Sequence, residues 1–444
     1  MINQEPFLSV GVYERETEAR GVLNGTFSLD DGRTLTGAFS ARVQDGALVL
    51  SDAGGALVAR GPAIRLTPQG NTTFTLRAVT IGINFHWERK EDQTFEGGLR
   101  LLANADGTIT AINDAGVEQY LKSVISSEMS AEAPLDLLRA HAITSRSWLV
   151  AMLEKQKRCK NVGGPTRRGR ESEAEIVRWY DREDHKLYDV CADDHCQRYH
   201  GITKIISPAA EHAVRDTRGV FLVYGGEICD ARYSKSCGGR SEVFASAWED
   251  GEVPYLPTIS DAAVEHPIIT TEEAAERWVN ASPEAYCNTT DGKILRQVLP
   301  SFDQETTDFY RWQVSYTQAE LGALLLKRSG IDFGLVKKIE PLQRGPSGRI
   351  VRLRIVGSKR TVVVGKELEI RRWLSKSHLY SSAFTVHTEG GEAGAPAKFT
   401  LRGAGWGHGV GFCQIGAAVM AAKGFKAEVI VKHYFRGAEL KKLY

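Results

Sequence analysis

The chain has no run of about eighteen or more apolar residues, which excludes an ordinary transmembrane helix. It has almost no net charge: 56 Lys plus Arg stand against 55 Asp plus Glu, so the balance gives no argument for nucleic-acid binding. Its first residues, MINQEPFLSVGVYERE, lack the basic start and apolar core of a secretory signal. The expectation is a cytosolic chain, or one from which a signal has been removed. No Gly-x-Ser-x-Gly elbow is present, which argues against a serine nucleophile. No Gly-Lys-Ser/Thr follows the glycine-rich string near residue 405, which argues against a nucleotide loop. There is no Gly/Ser- or Pro-rich tether to mark a linker. Cysteines number seven, so at least one is unpaired within the chain, and the chain is too long to need disulfide staples.

What is present is an ordinary globular composition, 42% hydrophobic and 25% charged, over 444 residues. That length exceeds one usual core and predicts two or three packed units. Residues 1 to about 110 read as strands separated by turn signals at Asp31-Gly32, Asp45-Gly46 and Asp106-Gly107, a small antiparallel sheet or barrel. Within Gly82 to Gly98, His86, Trp87 and Phe95 sit among charged residues, a composition that fits either a sugar-binding groove or core packing. Glu154 to Glu175 reads as a charged surface loop, and Val220 to Asp230 as a hairpin turning at Gly225-Gly226.

Three stretches carry chemistry. The first is Tyr120 to Val150, where Val124 and Ile125 lead into Glu128, and Leu135, Leu138, Ala142 and Ile143 follow at helical spacing. The pattern predicts two helices with Glu128 at their junction, Ser130 as N-cap and Pro134 in the early turn of the second. A carboxylate held beside Met129 and Tyr120 has the setting of a general acid; the alternative is a surface residue or a cap. The second stretch holds His185, Cys191, His195, Cys196 and His200 close together. Thiolate and imidazole at this spacing suit tetrahedral zinc, and equally a polar loop with buried thiols. The third chemistry is split between YSKSCGGRSE, residues 233 to 242, and GAGWGHGVGFCQIGAAVMAAKGFKAEVIVKHYF, residues 403 to 435. Both are glycine-rich loops whose backbone permits tight turns and close approach, the second running into a helix from Gln414 that ends at Gly424.

These stretches together resemble the SpoIID/LytB family of sporulation cell-wall proteins and amidase enhancers, over roughly residues 80 to 440. The match rests on the Tyr-Leu, apolar-run, Ser-Glu-Met sequence at Glu128, and on the Tyr-Ser-x-Ser-x-Gly-Gly-Arg-x-Glu-like stretch at 233. It rests most on Gly-Trp-Gly-His-Gly-x-Gly followed by Gln-x-Gly-Ala and a later His-Tyr. Cys413 takes a position more often held by Ser, and Arg139 one often held by Lys. The resemblance implies an α+β fold of antiparallel sheets or small barrel elements with a helical catalytic segment and a groove between two lobes. The expected organisation is a β-rich region at 1–80, a lobe at 81–260 with the catalytic helix and His/Cys loop, and a second lobe at 261–444 with the glycine-rich motif. It implies action on peptidoglycan glycan strands, as a lytic transglycosylase leaving 1,6-anhydro-N-acetylmuramic ends or as a non-catalytic wall-binding or amidase-enhancer protein. A cell-wall amidase is then an implied partner, the cell envelope an implied location, and sporulation-like biology the implied context.

Carried onto this chain, Glu128 is the proposed acid. Arg139, Tyr233, Ser236, Arg240, Trp406, His408 and Gln414 are the expected substrate contacts, with His408 alternatively bonding its own glycine-rich turn. His185, Cys191, His195 and Cys196 are the expected ligands of a structural zinc. Cys237 is either a core thiol or a further metal-side residue.

Overall fold

The computed structural model describes residues 2–83, 88–162, 169–180, 185–193, 195–205, 207–299, 308–392 and 394–444. His86 and Trp87 lie outside them. The chain divides into two compact units, one comprising Met1–Arg146, Arg182–Val220 and Lys442–Tyr444, the other Ser147–Asp181 and Phe221–Lys441. The fold is α+β.

The first unit is built on an eleven-stranded sheet. The turn signals produce its hairpins. Asp45 and Gly46 both take positive φ, 49° and 73°, and the two-residue loop leaves Gln44 opposite Ala47. This is the geometry that an Asp-Gly pair favours because its twist matches that of the strands. Alternation then decides burial: in Ala47–Asp52, Leu48 and Leu50 are buried while Val49 is only half-buried. The strand Phe7–Glu16 pairs antiparallel with Ile109–Gly116, Phe7 opposite Gly116, and parallel with the short strand Val190–Cys191. Strands from before residue 80 and after it thus share one sheet, and no closed barrel forms among the described strands. Phe95 is a core residue, packed on Phe74 and Tyr199.

The strand Ile109–Gly116 of this sheet runs directly into helix α1 (Val117–Glu128), followed by α2 (Leu135–Val162) and α3 (Ala209–Asp216). The junction differs from the sequence reading in one respect. Pro134, not Ser130, opens α2: the Pro134 carbonyl accepts from the Leu138 amide at 3.1 Å. The Ser130 hydroxyl instead accepts from the Glu132 amide, two residues on. A serine can satisfy a nearby turn as readily as a helix start, and proline's fixed φ suits the first turn. Nor does the helix stop at 154: α2 continues to Val162, because Glu154, Lys155, Gln156, Lys157 and Arg158 are good helix formers.

A buried ion pair ties α1 to α2 within this unit. Arg146, with no exposed surface, donates to both carboxylate oxygens of Glu118 at 2.9 and 2.7 Å. Glu118 also accepts from the Tyr444 hydroxyl at 2.7 Å and the Gly219 amide at 3.3 Å.

The second unit holds helices α4 (Glu272–Asn280), α5 (Gly292–Val298), α6 (Gln318–Ser329), α7 (Glu367–Trp373), α8 (Gln414–Ala422) and α9 (Ala427–Tyr434). Sequence fixes α6 at both ends. Thr317 and Glu320 form a reciprocal capping box, and Gly330 closes the helix at φ 75°. Its Leu321 and Leu325 face a core shared with the antiparallel strands Val336–Arg344, Ile350–Gly357 and Thr361–Gly365 and with Trp373 of α7. The antiparallel strands Arg311–Thr317, Lys398–Ala404 and Phe384–Glu389 form a second sheet here. Among the described residues no helix is long and apolar enough to cross a membrane.

Candidate functional site

Glu128 is the last residue of α1 and is half-buried, following the fully buried Val124 and Ile125. Its Oε1 accepts from the Arg198 amide at 3.1 Å. The neighbouring residues fasten the same segment along α1. The His200 amide donates to Ser123 Oγ at 3.0 Å, and Tyr199 stacks on Tyr120 with ring centroids 5.0 Å apart. Arg139, one of the expected contacts, is held by Asp216 at 2.5 Å and by Asp136 at 3.6 Å.

His200 is 2% exposed, and burial lowers its pKa to about 4. Its folded pKa lies below the ordinary value of about 6.5, so between those values the unfolded chain binds a proton that the folded chain does not. Stability therefore falls as pH drops from about 6.5 through about 4, by on the order of 3 kcal/mol. His200→Gln should flatten that fall when denaturation midpoints are compared at pH 7 and pH 5. An unchanged slope would show that His200 does not set it.

Two residues before Arg198 lies the His/Cys group. His185, Cys191, His195 and Cys196 place one ligand atom each within 4.8 Å of all the others. Cys196 Sγ is 3.4 Å from His185 Nε2 and 3.6 Å from His195 Nδ1, and Cys191 Sγ is 3.8 Å from His195 Nδ1. A tetrahedral zinc with ordinary bond lengths separates a sulfur and a nitrogen ligand by about 3.6 Å, so the donor set fits a metal without rearrangement. Cys196 and the two histidines hold the Cys191 thiol well below its ordinary pKa, the direction a ligand needs. The adjacent His195 and Cys196 both reach the group because the chain turns there, the Cys196 amide donating to the Asp193 carbonyl. The group borders a cleft of about 240 Å3 lined also by Tyr13, Ile81 and Gln93.

In the second unit the two glycine-rich stretches are joined. Tyr233–Ser234 pairs in parallel with Phe412–Cys413, and Ser236 exchanges backbone hydrogen bonds with Trp406 at 3.0 and 2.8 Å. Glycine is required where the strands meet: a Cβ on Gly238, at φ 79°, would lie 2.8 Å from the Gly405 nitrogen. Trp406 is half-buried against Phe309 and Tyr380, with ring centroids 4.8 and 4.3 Å away. His408 accepts at Nδ1 from the Val410 amide at 3.0 Å and lies 4.8 Å from the Trp248 ring. Burial, with Arg232 and Arg349 nearby, pushes its pKa well below 6.5, so the ring is neutral. Gln414 is buried at the start of α8, and Ser236 is fully buried. Arg240 is nearly buried, its guanidinium donating to Thr258, Ser260 and Glu265.

The family model described as "Stage II sporulation protein" matches residues 105–224, which include Glu128 and the His/Cys group. A second, described as a domain of unknown function (DUF8618), matches residues 242–411. The chain is 22% identical over 330 residues to the stage II sporulation protein D of Bacillus amyloliquefaciens, covering 74% of this chain and 75% of that one. It is 24% identical over 350 residues to an uncharacterized protein of Brachyspira hyodysenteriae, covering 78% and 72%. It is 25% identical over 252 residues to the amidase enhancer of Bacillus subtilis, covering 51% of this chain and 32% of that protein. The chain is thus similar, in its 105–224 segment and over much of its length, to stage II sporulation protein D and, over about half of it, to an amidase enhancer.

In this SpoIID-like chain the motifs of sequence therefore fall into two groups. Glu128 and the His/Cys ligands are gathered in the first unit, and Tyr233, Ser236, Trp406, His408 and Gln414 in the second. Sequence reasoning missed Arg349. It is fully buried and donates to the Gly407 and Cys237 carbonyls and to Ser347, joining both glycine-rich stretches of the SpoIID pattern. A Cβ on Gly409 would sit 2.3 Å from its guanidinium carbon, which explains one glycine of the motif. No local pattern around Arg349 could have announced this. Also missed were Asp261 and Cys287, which with Cys237 and Cys413 form a second group able to hold a metal.

Proposed function

We propose that this chain binds peptidoglycan glycan strands at the cell envelope and acts there as a wall-binding, amidase-enhancing protein. The observation that carries this reading is the backbone pairing of the 233–242 and 403–414 stretches into one largely buried unit that leaves Trp406 and His408 half-buried, in a chain that aligns with an amidase enhancer. Sugar rings present apolar C–H faces and a rim of hydroxyl and acetamide groups, and aromatic rings beside fixed hydrogen-bonding groups suit both. Half-buried Trp406 and neutral His408 supply these features.

A second reading, strand cleavage as a lytic transglycosylase, is favoured by the placement of Glu128 at the C-terminal end of α1. There the Arg198 amide fixes one oxygen of its carboxyl. Protonated, Glu128 would donate to the glycosidic oxygen between N-acetylmuramic acid and N-acetylglucosamine. The muramic 6-hydroxyl would then attack the anomeric carbon, giving its proton to the Glu128 carboxylate left by the first step, while the bond to the glycosidic oxygen breaks and N-acetylglucosamine leaves with a free 4-hydroxyl; a 1,6-anhydro ring closes with no water consumed. One carboxyl suffices because that nucleophile is already tethered.

The test combines co-sedimentation with purified sacculi, amidase turnover with and without the chain, and mass analysis of released fragments. Co-sedimentation with faster amidase turnover and no anhydro ends is expected. Anhydro ends, lighter by one water than hydrolysis products, would establish the second reading instead. Failure to sediment with sacculi would overturn both.

Zinc in the His185, Cys191, His195 and Cys196 group belongs to the same reading, as a structural ion. These four residues would hold it, and it would anchor the chain two residues from Arg198, whose amide fixes Glu128. Cys196→Ser should cost about one zinc per chain by elemental analysis of protein purified without added metal. An unchanged metal content in that variant would exclude the assignment.

A further inference from the structure

The second unit carries its own set of soft ligands. Cys237, Asp261, Cys287 and Cys413 are all buried, and their ligand atoms lie within 4.8 Å of one another. Four separate segments deliver them: the 233–242 loop, the residue after Ser260, the turn at 285–288, and the N-cap of α8. We infer that these four residues form a closed structural zinc site of three thiolates and one carboxylate.

Three features of the geometry support this. First, the Cys237 and Cys287 sulfurs are 3.7 Å apart. Zinc–sulfur bonds of about 2.3 Å in tetrahedral geometry place two sulfurs about 3.8 Å apart, whereas a disulfide needs about 2.05 Å. Second, the donors are already oriented by an outer shell. The Cys237 amide donates to Cys413 Sγ at 3.2 Å, the Cys287 amide to Asp261 Oδ2 at 2.9 Å, and the Tyr434 hydroxyl to Asp261 Oδ1 at 2.7 Å. Groups that fix ligand oxygens and sulfurs in this way are the usual surroundings of a protein metal site. Third, α8 leaves a cradle for the carboxylate: a Cβ on Gly416 would come within 2.4 and 2.5 Å of the Asp261 oxygens.

Electrostatics agrees with the geometry. All four donors lie in the interior, each 3% exposed or less. A carboxylate and thiolates cannot be ionised together in a dry interior unless a cation joins them. Zinc binding would displace their protons to solvent and remove that conflict. Sulfur-rich donors with a single oxygen select zinc over calcium or magnesium. The ion would clamp the 233–242 loop to the end of the glycine-rich motif and so hold Trp406 and His408 in register.

The test uses the full chain carrying Cys191→Ser and Cys196→Ser, which removes the other ligand set. Elemental analysis should still find about one zinc per chain, and cobalt exchange should give near-ultraviolet thiolate-to-cobalt absorption. Adding Cys287→Ser should abolish both. Wild-type protein gives a readout that needs no variant: Cys237, Cys287 and Cys413 should resist alkylation until a chelator is added. Alkylation at those three positions without chelator, metal-free double variant, or a Cys237–Cys287 disulfide found by peptide mass would overturn the inference.

Discussion

Glu118→Ala is expected to destabilise the first unit by about 3–5 kcal/mol, the usual effect of stranding one partner of a buried ion pair. Arg146 has no exposed surface, and its guanidinium is engaged by both Glu118 oxygens. Without the carboxylate, a full positive charge would remain buried, with the Ala142 and Val220 carbonyls and the Thr217 hydroxyl as its other partners among the described residues. The Tyr444 hydroxyl and Gly219 amide would lose their acceptor as well. Chemical denaturation followed by circular dichroism checks this. The paired replacement Glu118→Leu with Arg146→Met should recover much of the loss, because it removes the charge as well as its partner. A loss under about 1 kcal/mol in Glu118→Ala would show that water or other groups solvate Arg146.

Glu128→Gln should reduce any production of 1,6-anhydro ends by about a hundredfold or more while leaving sacculus binding and the denaturation midpoint unchanged. The swap is nearly isosteric and keeps an oxygen to accept from the Arg198 amide, so only the acidic proton disappears. The measurement is mass analysis of fragments released from glycan strands with and without stem peptides. Equal release by wild type and variant would remove Glu128 from the chemistry. If binding alone is observed for both, the same pair of proteins shows that amidase enhancement does not pass through this carboxyl.

What could be read from sequence was what short stretches decide by themselves. Asp45-Gly46 and Gly225-Gly226 impose their turns through positive φ, and the second leaves Tyr224 opposite Glu227 as a two-residue hairpin requires. The helix from Gln414 and its stop at Gly424, φ 89°, follow from apolar periodicity and a residue free to take left-handed geometry. The His/Cys group was readable because its ligands span twelve positions, His185 to Cys196. Asp261, Cys287, Arg349 and the Glu118–Arg146 pair were not, since each meets its partners across separate segments that only the finished tertiary fold brings together. Ser130 shows the opposite limit. A correct residue type in a plausible place was taken by a closer competitor, the Glu132 amide.

Tyr444 has a further consequence, for the order in which the chain acquires structure. The first unit contains residues up to Arg146, again from Arg182 to Val220, and finally Lys442–Tyr444. Its buried Glu118–Arg146 pair accepts a hydroxyl from a residue translated more than two hundred positions after the rest of that unit. During synthesis, therefore, α1 and α2 can leave the ribosome and associate long before their network is complete, and Glu118 must wait for its last donor until residues 221–441 have been made. Chains stopped before Tyr444 would carry a Glu118 carboxylate short of one donor near the start of the Glu128 helix.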